Sequence, residues 1–105
     1  MNQYQKVIVK LDPTVGSEMT KTRPCVILSP DDLNDHLSTV IIAPLTSTLK
    51  DVPYRVEVQD DGQVSSVALD QIRVIDKSRI IDELDALSKK EIANIKDVLY
   101  QFFVE

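Results

Sequence analysis

The sequence predicts a mainly β fold closed by one C-terminal helix, and three observations carry that prediction. Short apolar runs at 7–9, 25–28, 39–43 and 72–75 are cut off by proline or polar turn residues, as strands are. Residues 53–58 alternate polar and apolar with period two, and Asp60-Asp61-Gly62 follows as the turn that reverses them. Helical spacing over a long stretch appears at 88–103, where Ile92, Ile95, Leu99 and Phe102, flanked by Val98 and Phe103, fall on one face. Short strands followed by a closing helix give a small, strongly curved β-barrel or sandwich with the helix packed on it.

In chain order, residues 6–11 alternate Val7, Val9 and Leu11 with lysines as a first strand, which Asp12-Pro13 stops. Residues 14–22 are loop, with Gly16 where a positive φ is needed. Cys25-Val26-Ile27-Leu28 is wholly apolar, as expected of a strand buried on both faces, and Cys25 reads as a small hydrophobe within it. Ser29 is an N-cap candidate for a short helix that carries Pro30, Asp31 and Asp32 in its first turn. His36 falls at the end of that helix and reads as a surface histidine. Residues 39–43 form another strand, ended by Pro44, and Thr46-Ser47-Thr48 follow as a hydroxyl-rich loop. Residues 64–69 and 72–75 are strands separated by Asp70-Gln71, and 79–81 is one more short strand. Ser88 and Glu91 have the spacing of a capping box at the start of the long helix.

At 105 residues the chain is expected to be a single domain over 1–105, with one modest core. No apolar run approaches the roughly 18 residues a membrane span needs, and no signal peptide is visible in the polar N-terminus. A lone cysteine cannot make an internal disulfide, so a reducing cytoplasm is the expected compartment. With 12 Lys and Arg against 17 Asp and Glu, the net charge of −5 argues against broad neutralisation of long nucleic acid. A local basic site is still open to the chain, because Lys21, Arg23, Lys50, Arg55 and Arg73 fall beside loops while the acids cluster at 31–35, 60–61 and 82–85.

Common catalytic constellations cannot be built from these residues. Gly16 and Gly62 make no phosphate-binding loop, one histidine and one cysteine cannot close a zinc site, and a serine triad finds no partners for His36. Chemistry must therefore run on Arg, Asp or Glu, Thr or Ser, and Gln, a set suited to phosphate, where charge stabilisation and positioning do most of the work. Arg23 is the leading candidate. Pro24 holds it in extended backbone, and a guanidinium presented from fixed backbone offers phosphate a planar fork of donors.

The ordered landmarks resemble a known family. Leu11-Asp-Pro-Thr-Val-Gly-Ser-Glu18, Lys21-Thr-Arg-Pro24, Ser29-Pro30, Asn34, Ala43-Pro-Leu-Thr46 and Asp70-Gln-Ile-Arg-Val-Ile-Asp76 together are similar to the MazF/PemK toxins of bacterial toxin–antitoxin systems. No piece is specific alone; the series in this order and spacing is. The resemblance implies an SH3-like, CcdB/MazF-type curved barrel, a homodimer, a cognate antitoxin partner, and a sequence-specific endoribonuclease that needs neither metal nor cofactor. It implies cleavage of single-stranded RNA by attack of the 2′-hydroxyl, leaving a 2′,3′-cyclic phosphate and a 5′-hydroxyl. By the same resemblance Arg23 and Thr46 are catalytic, Asp70 is a candidate general base, and Glu18, Lys21, Thr22, Ser47, Thr48 and Gln71 bind substrate.

Two departures stand out. The arginine that accompanies Asp70 in one branch of the family is Ala68 here, and Gln5-Lys6 replaces a Gly-Asp or Gly-Glu pair before the first strand, which bears on the entry turn. Two other readings stay open at this point. One is a topoisomerase-directed poison of the CcdB type, against which stands the absence of tryptophan from a chain ending Phe103-Val104-Glu105, and the other is a silent binding module on the same barrel.

Overall fold

A computed structural model describes residues 1–10 and 22–104. Its elements are β1 (Gln5–Lys10), β2 (Thr22–Ile27), α1 (Asp31–His36), β3 (Thr39–Thr46), β4 (Arg55–Asp60), β5 (Gln63–Ala68), β6 (Arg73–Asp76), β7 (Ile80–Ala86) and α2 (Lys89–Phe103). Every strand pairing is antiparallel, in the order β4-β5-β3-β2-β1-β7, and β6 also pairs with β3.

Strand β3 is where the sheet divides. One edge lies on β2; the other runs along β6 from Thr39 to Ile42 and along β5 at Leu45 and Thr46. The sequence reading ended this strand at Pro44, and the structure carries it through. Leu28 N–H donates to Ile41 O at 2.8 Å, so alternation turns the peptide groups of Ala43 and Leu45 toward β2 and those of Ile42 and Pro44 toward the opposite edge. Pro44 thus places its missing N–H in the gap between the β6 and β5 ladders, where no bond is lost.

The sheet then curls until the β4–β5 hairpin reaches β1, and Lys6 Nζ lies 3.4 Å from Gln59 O and 3.9 Å from the Asp60 carboxylate. Its tip is a two-residue turn, Asp61 at φ 53 and Gly62 at φ 80, the left-handed pair that a twisted hairpin requires.

Apolar side chains bury on both faces. Val26, Ala43, Leu45, Val56, Val58, Val67 and Leu69 line the inside of the curl with Ile95 of α2, while Val7, Val9, Cys25, Ile27, Val40, Ile42 and Ile75 pack on the other side. The run Cys25-Val26-Ile27 alternates between these clusters and is fully buried, as predicted.

Three local expectations change. Ser29 does not cap α1: Pro30 holds that position, and Ser29 Oγ donates to buried Asn34 and accepts the Ile41 N–H at 3.0 Å. β4 starts at Arg55 rather than 53, and β7 runs to Ala86, so Asp82, Glu83 and Asp85 lie in a strand. The helical stripe packs through Ile92, Ile95, Val98 and Leu99, but Phe102 and Phe103 stay 44% and 71% exposed. In the entry turn before Gln5-Lys6, Tyr4 sits at φ 66. It is held there by bonds from its N–H to Ile27 O (2.6 Å) and from Leu87 N–H to its carbonyl (3.0 Å).

Candidate functional site

Arg23 lies in β2 opposite Val9, and Pro24 keeps it extended as predicted. Alternation turns the peptide groups of Val26 and Pro24 toward β3, so Pro24 can accept from Leu45 but the return bond of that pair would need a Pro24 N–H, which proline lacks. The β2–β3 ladder accordingly ends at Cys25 and Pro44. Continued two residues further, the same register sets Arg23 opposite Thr46, on the face they share with Cys25 and Pro44.

A cavity of about 400 Å³ occupies this opening. Arg23, Thr46, Ser47 and Thr48 line one part of it, Pro24 and Leu45 the part over the unzipped ladder, and Asp60, Gln63 and Ser65 of the β4–β5 hairpin the rest. Thr46 Oγ1 accepts the Thr48 N–H at 3.2 Å, which occupies a lone pair and leaves the hydroxyl proton free to donate elsewhere. A guanidinium, hydroxyls and an opening of nucleotide size can together bind a phosphodiester.

The predicted site residues therefore divide. Arg23, Thr46, Ser47 and Thr48 come together; Thr22, at the exposed start of β2, and Gln71, in the 3-10 turn Leu69–Gln71, do not line the cavity. Glu18 and Lys21 lie outside the described residues. Asp70 is also elsewhere, in a two-pronged pair with Arg55, whose Nε donates to Oδ1 at 2.7 Å and whose Nη2 donates to Oδ2 at 3.1 Å. The hydrogen bond from Arg55 holds the Asp70 carboxyl below its ordinary range. Arg55 sits opposite Ala68 in the β4–β5 register, so the arginine absent at 68 is supplied from the neighbouring strand.

Asp60, Gln63 and Ser65 escaped the sequence reading as site residues. The Asp61-Gly62 turn does give their pairing, Asp60 opposite Gln63, but the curl that carries the hairpin to β2 is a long-range event. Cys25 is buried, which pushes its thiol up to about 11 despite Arg23 and Arg73 nearby and keeps it out of nucleophilic chemistry. His36 is on the surface, its Nδ1 2.7 Å from Asp32 O.

Residues 2–103 match the family model described as PemK-like, MazF-like toxin of type II toxin-antitoxin system. The chain belongs to this family. It is 32% identical over 105 residues to the Endoribonuclease MazF of Staphylococcus saprophyticus, covering 94% of this chain and 88% of that protein. The Endoribonuclease MazF of Staphylococcus epidermidis is likewise 32% identical, over 98 residues, covering 88% of this chain and 82% of that protein. Among solved structures, MazF of Deinococcus radiodurans superposes with a TM-score of 0.77 at 26% identity, over 100% of this chain and 97% of that one. A MazE-MazF crystal structure from the same organism gives a TM-score of 0.84 at 24% identity, over 99% and 96% of the chains. The half-barrel with its closing helix is thus the fold of the PemK/MazF family. Among the described residues, no helix is long and apolar enough to cross a membrane.

Proposed function

We propose that this protein is the endoribonuclease toxin of a type II toxin–antitoxin pair, cutting single-stranded RNA at short sequences without a metal ion. The observation that carries the reading is the placement of Arg23 beside Thr46 on one cavity, in a chain of the PemK/MazF family with relatives named as endoribonucleases.

RNA brings its own nucleophile to this site. The 2′-oxygen forms a bond to the adjacent phosphorus as the P–O5′ bond breaks; the 2′-hydroxyl gives up its proton and the departing 5′-oxygen gains one, leaving a 2′,3′-cyclic phosphate and a 5′-hydroxyl. Such a reaction needs positioning, proton transfer and donors for the charge that builds on the phosphoryl oxygens. Arg23 supplies a permanent cation to those oxygens and the Thr46 hydroxyl a second donor, with Ser47 and Thr48 holding the neighbouring phosphate or sugar. Asp70, bound to Arg55 away from the cavity, serves the fold in this scheme and not proton transfer.

Partners follow from the same reading. The active form is a homodimer in the cytoplasm, and an antitoxin segment that covers the cavity silences it; a MazE-MazF complex is among the solved structures of similar fold. Because the toxin carries −5, an acidic antitoxin segment would be held by the local cations and by apolar anchors, not by long-range attraction.

Substitution of the two central residues tests the reading. Thr46→Ala should slow cleavage about a hundredfold or more, the usual effect of losing one donor to developing charge, and Arg23→Ala should abolish it. Thermal unfolding should stay unchanged in both variants. Cleavage within a few fold of the wild-type rate in a folded Arg23→Ala protein would remove Arg23 from the mechanism.

A further inference from the structure

Resting on the nuclease reading above, we infer that the inner wall of the cavity, Asp60 with Gln63 and Ser65, selects the base beside the scissile phosphate and rejects uracil there. Side-chain alternation separates two parts of the opening. Arg23 and Thr46 share one face of the sheet with Cys25. Pro24 and Leu45 take the opposite face, toward the inside of the curl, together with Val58, Asp60, Gln63 and Ser65 across the β3–β5 and β4–β5 registers. The cationic and hydroxyl groups thus form the rim, and the amide, the carboxylate and the Ser65 hydroxyl line the throat. A phosphate held at the rim leaves its base pointing into the throat, over the apolar surface of Pro24.

The polar groups of that throat are built for an exchange of hydrogen bonds. Asp60 and Gln63 are direct cross-strand partners flanking the Asp61-Gly62 turn, so their separation is fixed by a hairpin of tight geometry. Lys6 approaches one Asp60 oxygen at 3.9 Å and bonds more closely to Gln59 O at 3.4 Å, which steadies the hairpin while leaving the carboxylate able to accept. An acceptor from Asp60 beside a donor from Gln63 or Ser65 complements the amino group and adjacent ring nitrogen of cytosine or adenine. Guanine also offers amino and imino donors to the carboxylate. Uracil can meet that pair only by setting its N3–H on the carboxylate, which then lies against the carbonyl oxygens on both sides of that N–H and is repelled by them.

The test is cleavage of a randomised single-stranded RNA pool by the wild-type protein and by Asp60→Asn, with the cut ends sequenced. In the wild type, one position adjoining the cut should favour amino-bearing bases over uracil about tenfold or more, the discrimination expected of one such contact. Asn carries no charge to repel the uracil carbonyls and its amide N–H can donate to one of them, so in the variant that ratio should fall to about two while the other positions of the motif keep theirs. An unchanged ratio in the variant, including a uniform loss of rate on every sequence, would overturn the assignment, as would free use of uracil by the wild type at every position beside the cut. A pool left uncut by the wild type would remove the nuclease reading itself. Binding of fluorescent oligomers carrying cytosine or uracil then decides the base assignment alone, being about tenfold in favour of cytosine for the wild type and near parity for Asp60→Asn if it holds, and equal for both proteins if it does not.

Discussion

Arg23 and Asp70 are both charged residues near proposed chemistry in the sequence, and the structure gives them opposite surroundings. Arg23 makes no ion pair among the described residues and opens onto a cavity, whereas the Asp70 carboxylate is gripped by both arms of a guanidinium that is itself largely buried. Reading Arg23 needed one neighbour in the chain, Pro24. Reading Asp70 needed a neighbour across the sheet: the sequence shows Ala68 where a companion arginine was expected, and Arg55 cannot be matched to it until the β4–β5 register is known. The pair has a consequence for acid stability. Because folding lowers the Asp70 pKa, its contribution is complete above the unfolded carboxylate range, about pH 4, and is lost as the pH falls through the lower folded value. Asp70→Asn should therefore be less stable than the wild type at pH 7 and show a shallower loss of stability between about pH 5 and 2, measured by urea unfolding at each pH. RNA cleavage at neutral pH should persist in that variant.

At the scale of elements, α2 was the most legible and β3 the least. The spacing of Ser88 and Glu91 identified the capping box, and both of its bonds form, Glu91 N–H to Ser88 Oγ at 3.2 Å and Ser88 N–H to Glu91 Oε1 at 2.9 Å. What the spacing could not give is the second oxygen of Glu91, which takes the Gln59 N–H at 2.7 Å and ties the helix to β4. The apolar stripe was legible in phase but not in extent, since a periodic pattern carries no information on where the sheet beneath it stops. Ile95→Ala, at a side chain with no exposed surface, should cost about 2–5 kcal/mol, and Ser88→Ala about 1 kcal/mol. Phe103→Ser, at a residue 71% exposed, should stay within about 0.5 kcal/mol, all three read by denaturant unfolding. Pro44 was misread because a proline inside a strand normally ends it. Whether its missing N–H matters depends on which edge it faces, and that is set by two other strands.

For the molecule as a whole, the acidic balance and the proposed substrate are reconciled by where the charges lie. Asp60, Asp61, Asp82, Glu83 and Asp85 surround a second cavity of about 640 Å³ next to the first, with Lys6 among them. A phosphate backbone is repelled from that side and must approach the Arg23 rim from the other, so few cations have to hold it. The class of fold and the order of its landmarks were legible from spacing and from family resemblance. The curl was not, because the contact that closes it, Lys6 to the β4–β5 hairpin, joins residues more than fifty apart in the chain. The account as a whole rests on RNA supplying the nucleophile while the rim supplies the charge. The most direct test is incubation of the purified protein with single-stranded RNA in excess EDTA, followed by analysis of the new ends. The account predicts cleavage that EDTA does not slow, with 2′,3′-cyclic phosphate and 5′-hydroxyl termini. Cleavage that stops on chelation, or products carrying 5′-phosphate, would contradict it.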